Sequence, residues 1–117
     1  MRNFELRVYK LRTKEALDSH TKVICPRHLK SFPLFGIEAH GFWTARADVQ
    51  PRLFVLVSYA ADMEPGEVAR RYMQSTEFAD DIIDFDVANI VDVESTILVP
   101  FNQFSAQVTG TKKEKEK

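Results

Sequence analysis

From Phe4 to Leu11 apolar and polar positions alternate, with Phe4, Leu6 and Val8 on one side and Glu5, Arg7 and Tyr9 on the other. That is the period of a β-strand with two unlike faces. After Thr13 the apolar spacing changes to threes and fours, through Leu17, Ile24, Phe32 and Phe35, and His20 and His28 fall on the same stripe. The pattern predicts one long amphipathic helix to about residue 35. Thr13 stands where an N-cap belongs, and Gly36 where a left-handed residue closes a helix. Pro26 lies inside the pattern and predicts a kink, because it lacks a backbone donor and its ring crowds the carbonyl of Lys22. Residues 37–46 and 53–60 are rich in aromatic and β-branched side chains and are joined by a polar loop, which predicts a hairpin. Gly41, inside the first of these strands, marks a bulge or a close backbone approach. Pro65 opens a second helical region with Val68 and Tyr72 on one face. Ser75 or Thr76 then caps a further segment carrying Phe78, Ile82 and Phe85. Val91 to Pro100 alternates again and makes the last strand.

Strand, helix, strand, strand, helix, strand is the βαββαβ order of the ferredoxin-like α+β fold, in which both helical layers lie on one face of a four-stranded antiparallel sheet. With Phe4, Leu6 and Val8 turned to the helices, the other face presents Tyr9 and Phe42 beside Arg7, His40 and Glu94. Such a face is too apolar to leave in water, and a symmetric dimer burying sheet against sheet covers it. Arg7 and Glu94, on neighbouring strands and the same face in this reading, are expected to form a structural ion pair.

The 117 residues, 44% hydrophobic and 28% charged, are those of one globular domain, expected over residues 1–105 and followed by a charged, loosely ordered tail at 106–117. The net charge of -1 lacks the basic footprint of a nucleic-acid partner, but its distribution is uneven. Residues 1–71 carry 12 basic and 8 acidic side chains, whereas residues 72–111 carry 7 acids and no base. The resulting faces of opposite sign are expected to be solvated. A single cysteine, Cys25, favours a reducing compartment. No apolar run is long enough to span a bilayer and no signal segment opens the chain, so the expected location is cytoplasmic, with no membrane partner.

Several stretches carry a resemblance. Residues 4–11 (FELRVYKL), Gly36-Ile37 through Gly41-Phe42-Trp43-Thr44, Leu53 to Tyr59, Thr76-Glu77-Phe78 and residues 94–100 (ESTILVP) together resemble NIPSNAP-type domains, in the right order over residues 3 to about 105. The resemblance implies a dimeric α/β-barrel, from a superfamily that includes small cofactorless monooxygenases, haem-degrading enzymes and pure binding proteins. Members often carry an arginine-rich run and an Asp-Pro before the late helix, where this chain has Arg70-Arg71 and Ser75-Thr76.

No stretch carries a catalytic or metal-binding signature, and no catalytic residue is assigned. His20 and His28, eight positions apart, are separated on a continuous helix by about 12 Å of rise, too far to share a metal. The lone thiol–imidazole pair of Cys25 and His28 adds no ligand cluster. No metal and no cofactor is therefore expected. The acidic run Asp80, Asp81, Asp84 and Asp86 follows a helix face and not a calcium loop. The residues that suit a flat apolar pocket with a polar handle are Tyr9, His20, Ile24, His28, His40, Trp43 and Tyr59. An RNA-recognition domain shares the element order, but residues 53–59 hold neither the glycine nor the base its third strand requires. The expectation is a homodimeric module that binds a small hydrophobic or aromatic molecule or a protein partner. The alternative is a cofactorless monooxygenase- or isomerase-like enzyme acting on such a molecule.

Overall fold

Strands β1 (Asn3–Leu11), β2 (Ile37–Thr44), β3 (Arg52–Tyr59) and β4 (Ile90–Leu98) form one antiparallel sheet in the order β2-β3-β1-β4. These and the elements below come from a computed structural model that describes residues 2–99. The expected tail at 106–117, Pro100 and the last residues of the expected domain lie outside that range. Helices α1 (Lys14–Ser19), α2 (Cys25–Ser31), α3 (Pro65–Met73) and α4 (Thr76–Asp81) cover one face of the sheet. The architecture is α+β with the ferredoxin-like strand order. Among the described residues no helix is long and apolar enough to cross a membrane.

Thr13 caps the first helix through its hydroxyl, which accepts from the Ala16 amide at 3.0 Å, and Gly36 ends the helical stretch at φ 76°. Between these caps the helix is not uniform. Residues His20–Ile24 form a π-turn, in which the Cys25 amide donates to the His20 carbonyl five residues back. Pro26 follows at once, in the first turn of α2, where its missing donor costs nothing. The wide turn is thus how the chain absorbs the proline, and it has a second effect. Eight residues of ordinary helix leave two side chains about 80° apart around the axis. The extra residue of the π-turn brings His20 and His28 into line, His28 leans back toward the N-terminus, and the two rings approach to 5.9 Å. The separation expected from helical rise alone is therefore corrected.

The sheet is turned over relative to the sequence expectation. Leu53, Val55, Val57 and Tyr59 of β3 are all buried beneath the helices, and the register pairs Tyr9, Arg7, Glu5 and Asn3 of β1 with them. Arg7, Tyr9 and Phe42 thus face the helices, while Phe4, Leu6 and Val8 lie on the open face with Phe54 and Leu56. The reason is that β1 is apolar on both faces once Tyr9 and Leu11 are counted. Burial is decided by which face meets the aromatic side chains of the helices.

The register of β1 with β4 corrects the Arg7–Glu94 pair. Arg7 stands opposite Ser95, and Glu94 stands opposite Val8, on the other face of the sheet. Glu94 meets Lys10 instead, at 3.9 Å, and the carboxylate beside Arg7 is Glu5, 4.0 Å from its Nε.

Pairing between β2 and β3 shifts register between Ala39 and Gly41, so the glycine marks a bulge, as its position suggested. It also makes room for a ring, because a Cβ built at Gly41 would run into the indole of Trp43. Gly41→Ala is expected to swing the half-exposed indole outward, at a stability cost below about 1 kcal/mol. Trp43 is the chain's single tryptophan, so its emission should shift to the red. An unchanged spectrum would mean that the ring is not seated over the glycine.

Candidate functional site

A cavity of about 300 Å³ lies between the helices and the sheet face they cover. Its floor is the inward row of β1 and β3, with Arg7 and Tyr9 beside Val55, Val57 and Tyr59. Period-two alternation puts these side chains on one surface. His20, His28 and Phe32 descend from the first helical stretch, in phase because of the π-turn. Tyr72 comes from α3, one helical turn beyond the buried Val68. The Ser75 hydroxyl then accepts from the Phe78 amide at 3.1 Å, starting α4 so that the Phe78 ring meets Tyr72 edge-on at 5.2 Å. The rings form a continuous wall. His28 is stacked on Phe32 at 5.2 Å, and His20 packs edge-on against Phe85 at 5.2 Å and near Tyr9 at 5.9 Å. The mouth is marked by the lining residues left exposed, Met73, Val87 and Val93.

Two polar networks interrupt this apolar surface. In the first, the hydroxyls of Tyr59 and Ser95 donate to Oε1 and Oε2 of Glu5, a carboxylate that is itself buried. The Arg7 guanidinium lies 5.2 Å over the Tyr9 ring, and its buried Nε has no hydrogen-bond partner among the described residues. In the second, the Tyr72 hydroxyl donates to Asp81 Oδ2 at 2.5 Å. Its proton is thereby committed, so at 2.6 Å it accepts from His28 Nδ1–H, and the lone pair of the neutral imidazole sits on Nε2. His28 Nδ1 is also 3.7 Å from Asp81 Oδ2.

Burial sets the protonation states. It lowers His20 to about 4, with the neighbouring His28 adding to the effect. Burial also lowers His28, against the opposing pull of Asp81. The Tyr9 phenol is raised by burial in spite of Arg7. Burial, and then the bonded carboxylates Glu5 and Asp81, raise Tyr59 and Tyr72. Cys25, 3.5 Å from His20 Nδ1 through its sulfur, is pushed by burial up to about 12. At neutral pH the cavity therefore presents neutral imidazoles and protonated phenols, and the Cys25 thiol, which does not line it, is no nucleophile. Among the described residues no group of three or more His, Cys, Asp or Glu side chains is placed to hold a metal. The arrangement suits an apolar, flat guest oriented by a few polar atoms.

Of the residues expected to line a pocket, Tyr9, His20, His28 and Tyr59 do so. Ile24 is buried on the π-turn and does not reach the cavity. His40 and Trp43 stand on the open face. His40 Nε2 lies 2.7 Å from the Ser58 hydroxyl, and its ring packs on Phe4 at 5.1 Å. The sequence reading missed Glu5, Tyr72 and Asp81, the groups that satisfy the polar atoms of the wall. Glu5 had a signal, since it shares the alternating row of Arg7 and Tyr9. Asp81 had none, being one of four aspartates in a short run.

The NIPSNAP family model matches residues 4–105. Among solved structures, a NIPSNAP family protein from Agrobacterium tumefaciens is 17% identical with a TM-score of 0.65, over 87% of this chain and 95% of that one. An uncharacterized NIPSNAP domain protein from Burkholderia xenovorans is 18% identical with a TM-score of 0.66, over 86% and 95%. A putative antibiotic biosynthesis monooxygenase from Nitrosomonas europaea is 12% identical with a TM-score of 0.54, over 86% and 91%. At these identities the likeness is one of fold. No curated protein matches the chain.

Proposed function

The chain belongs to the NIPSNAP family, and from that premise we propose that it is a homodimeric binding protein that holds a small hydrophobic or aromatic molecule between sheet and helices. The observation that carries the reading is the cavity of about 300 Å³, with its wall of rings, aliphatic floor and few polar atoms. Dimerisation is supported by the open face, where Leu6, Val8, Phe54 and Leu56 stand in adjacent rows beside the half-exposed Trp43. A protein partner seated on that face is the competing occupant. The buried free thiol of Cys25 fits a reducing, cytoplasmic setting.

The test titrates the protein with the neutral fluorescent probe N-phenyl-1-naphthylamine, with the assembly followed by native mass spectrometry. The wild type is expected to bind one probe per chain in a species of twice the 13.5 kDa chain mass. Ala69→Phe, which puts a ring into the cavity from α3, should abolish probe binding and leave the fold unchanged by circular dichroism. Equal binding by both proteins would remove the cavity from the account, and a monomer would remove the dimer.

A second reading, a cofactorless monooxygenase- or isomerase-like enzyme, draws on the His28–Tyr72–Asp81 network. An imidazole kept neutral by burial, with its Nδ1–H held by a hydroxyl, has the form of a general base. The fold likeness to the Nitrosomonas europaea protein is consistent with this reading. Turnover of a bound aromatic substrate, lost in His28→Gln while binding is retained, would favour it over binding alone.

A further inference from the structure

We propose that the guest of this cavity is an anion, a hydrophobic or aromatic molecule bearing a carboxylate that docks on the guanidinium of Arg7. The inference rests on the binding reading above and specifies its ligand class. Arg7 lies on the cavity floor with its guanidinium 5.2 Å over the Tyr9 ring. Its Nε–H is buried and donates to nothing among the described residues, whereas buried donors are as a rule satisfied. The carboxylate next to it does not meet that demand, since Glu5, which accepts from Tyr59 and Ser95, stands 4.0 Å from Arg7 Nε, beyond hydrogen-bond distance. Those hydroxyls hold Glu5 in place, so it offsets the guanidinium charge at a distance and leaves the donor edge free.

The edge made by Nε–H and the adjacent Nη–H is a planar fork that matches the two oxygens of one carboxylate. The other acid near the cavity, Asp81, is bonded to Tyr72 and beside His28, and so does not compete for Arg7. The rings of the wall take the apolar body, and the low polarity around the fork strengthens the charged contact. A neutral amide isostere of the same guest offers the fork one carbonyl acceptor and no charge, and so meets only part of the demand.

The experiment compares 2-naphthoate with 2-naphthamide by isothermal titration calorimetry on the full chain at pH 7, with N-phenyl-1-naphthylamine as a neutral reference. The acid is expected to bind roughly 10- to 100-fold tighter than the amide. Arg7→Met should reduce that preference to about one, read as the ratio of the two affinities within the variant. Should Arg7→Met not fold, Arg7→Lys keeps the charge without the fork and should lose most of the preference. Equal binding of acid and amide by the wild type would overturn the proposal and leave the cavity reading intact. So would a preference that survives unchanged in the Arg7 variants. Failure of the neutral probe, the acid and the amide alike would overturn the cavity reading and this proposal with it.

Discussion

Glu5→Ala is expected to lower the unfolding free energy by about 3 kcal/mol at pH 7, seen as a drop in the urea midpoint. The buried carboxylate accepts from Tyr59 and Ser95 and is the counter-charge nearest Arg7 Nε. Truncation leaves the hydroxyl of Tyr59, a residue 1% exposed, without its acceptor, and leaves the guanidinium uncompensated. The first loss costs about 1–3 kcal/mol. The second is smaller than for a fully buried ion, because the Arg7 side chain retains 22% exposure. Glu5→Gln restores an acceptor without the charge and should recover about half of the loss. Lys10→Ala supplies the contrast. Its pairs with Asp92 and Glu94 are exposed, and their removal should cost no more than about 1 kcal/mol. Were Glu5→Ala to behave like Lys10→Ala, the first network would have to be solvated and not structural.

Acidification from pH 7 to pH 4 is expected to destabilise the fold by about 3 kcal/mol through His20 alone. The folded chain holds this imidazole at about 4, against 6.5 for an ordinary histidine, because burial penalises its cation. Between those values the unfolded chain binds the proton and the folded chain does not. Stability is therefore complete above about pH 6.5, falls as the pH drops, and levels off below about pH 4, with about 2 kcal/mol gone by pH 5. His28 is lowered by burial as well and acts in the same direction. The check is a series of urea denaturations at pH 7, 6, 5 and 4 on the wild type and His20→Asn. The variant should lose most of the slope between pH 6.5 and pH 4. If it keeps the wild-type slope, acid sensitivity comes from elsewhere, and the His20 ring is not buried among Tyr9, Phe85 and His28. The same titration bears on ligand binding, since a charged His20 would place a cation in the apolar wall and loosen it before the whole chain unfolds.

The two experiments also separate the parts of the site. Glu5 belongs to the floor and holds the residues around Arg7. His20 belongs to the roof, and its protonation state depends on how tightly the helices close over the sheet. A guest that binds between them should raise the apparent stability of the wild type, and most strongly near neutral pH, where both halves are intact.

Local patterns were enough for the elements. Alternation in Phe4–Leu11 and from Val91 onward, the Thr13 hydroxyl as a cap, a second cap at Ser75 or Thr76, Gly36 beyond a helical stretch and an irregularity at Gly41 all act within a few residues of themselves, so a linear reading finds them, and the structure chose Ser75 for the cap and a bulge at Gly41. Element order then narrowed the topology to the ferredoxin-like sheet, because few connections of six such elements avoid crossing. Four of the seven expected pocket residues, Tyr9, His20, His28 and Tyr59, were legible because each lies on an inward stripe and carries a polar atom on a ring.

What only the tertiary structure decided is everything that depends on which surface meets which. Both rows of β1 are apolar enough to be buried, so alternation could not say whether Arg7 and Tyr9 or Leu6 and Val8 face the helices, and the packing of the rings against β3 chose the former. The register of β1 with β4 placed Glu94 opposite Val8, on the other face from Arg7, and left Glu5, two residues away on the same row, as the carboxylate beside it. The π-turn at His20–Ile24 changed the phase of the helix and brought two imidazoles to 5.9 Å that a regular helix keeps apart. A strand's period and a helix's cap are properties of adjacent residues, set by backbone sterics and local hydrogen bonds. A sheet's buried face, a cross-strand partner and a cavity are properties of residues 50 to 90 positions apart, such as Glu5 with Tyr59 and Ser95, and only the folded chain brings those together.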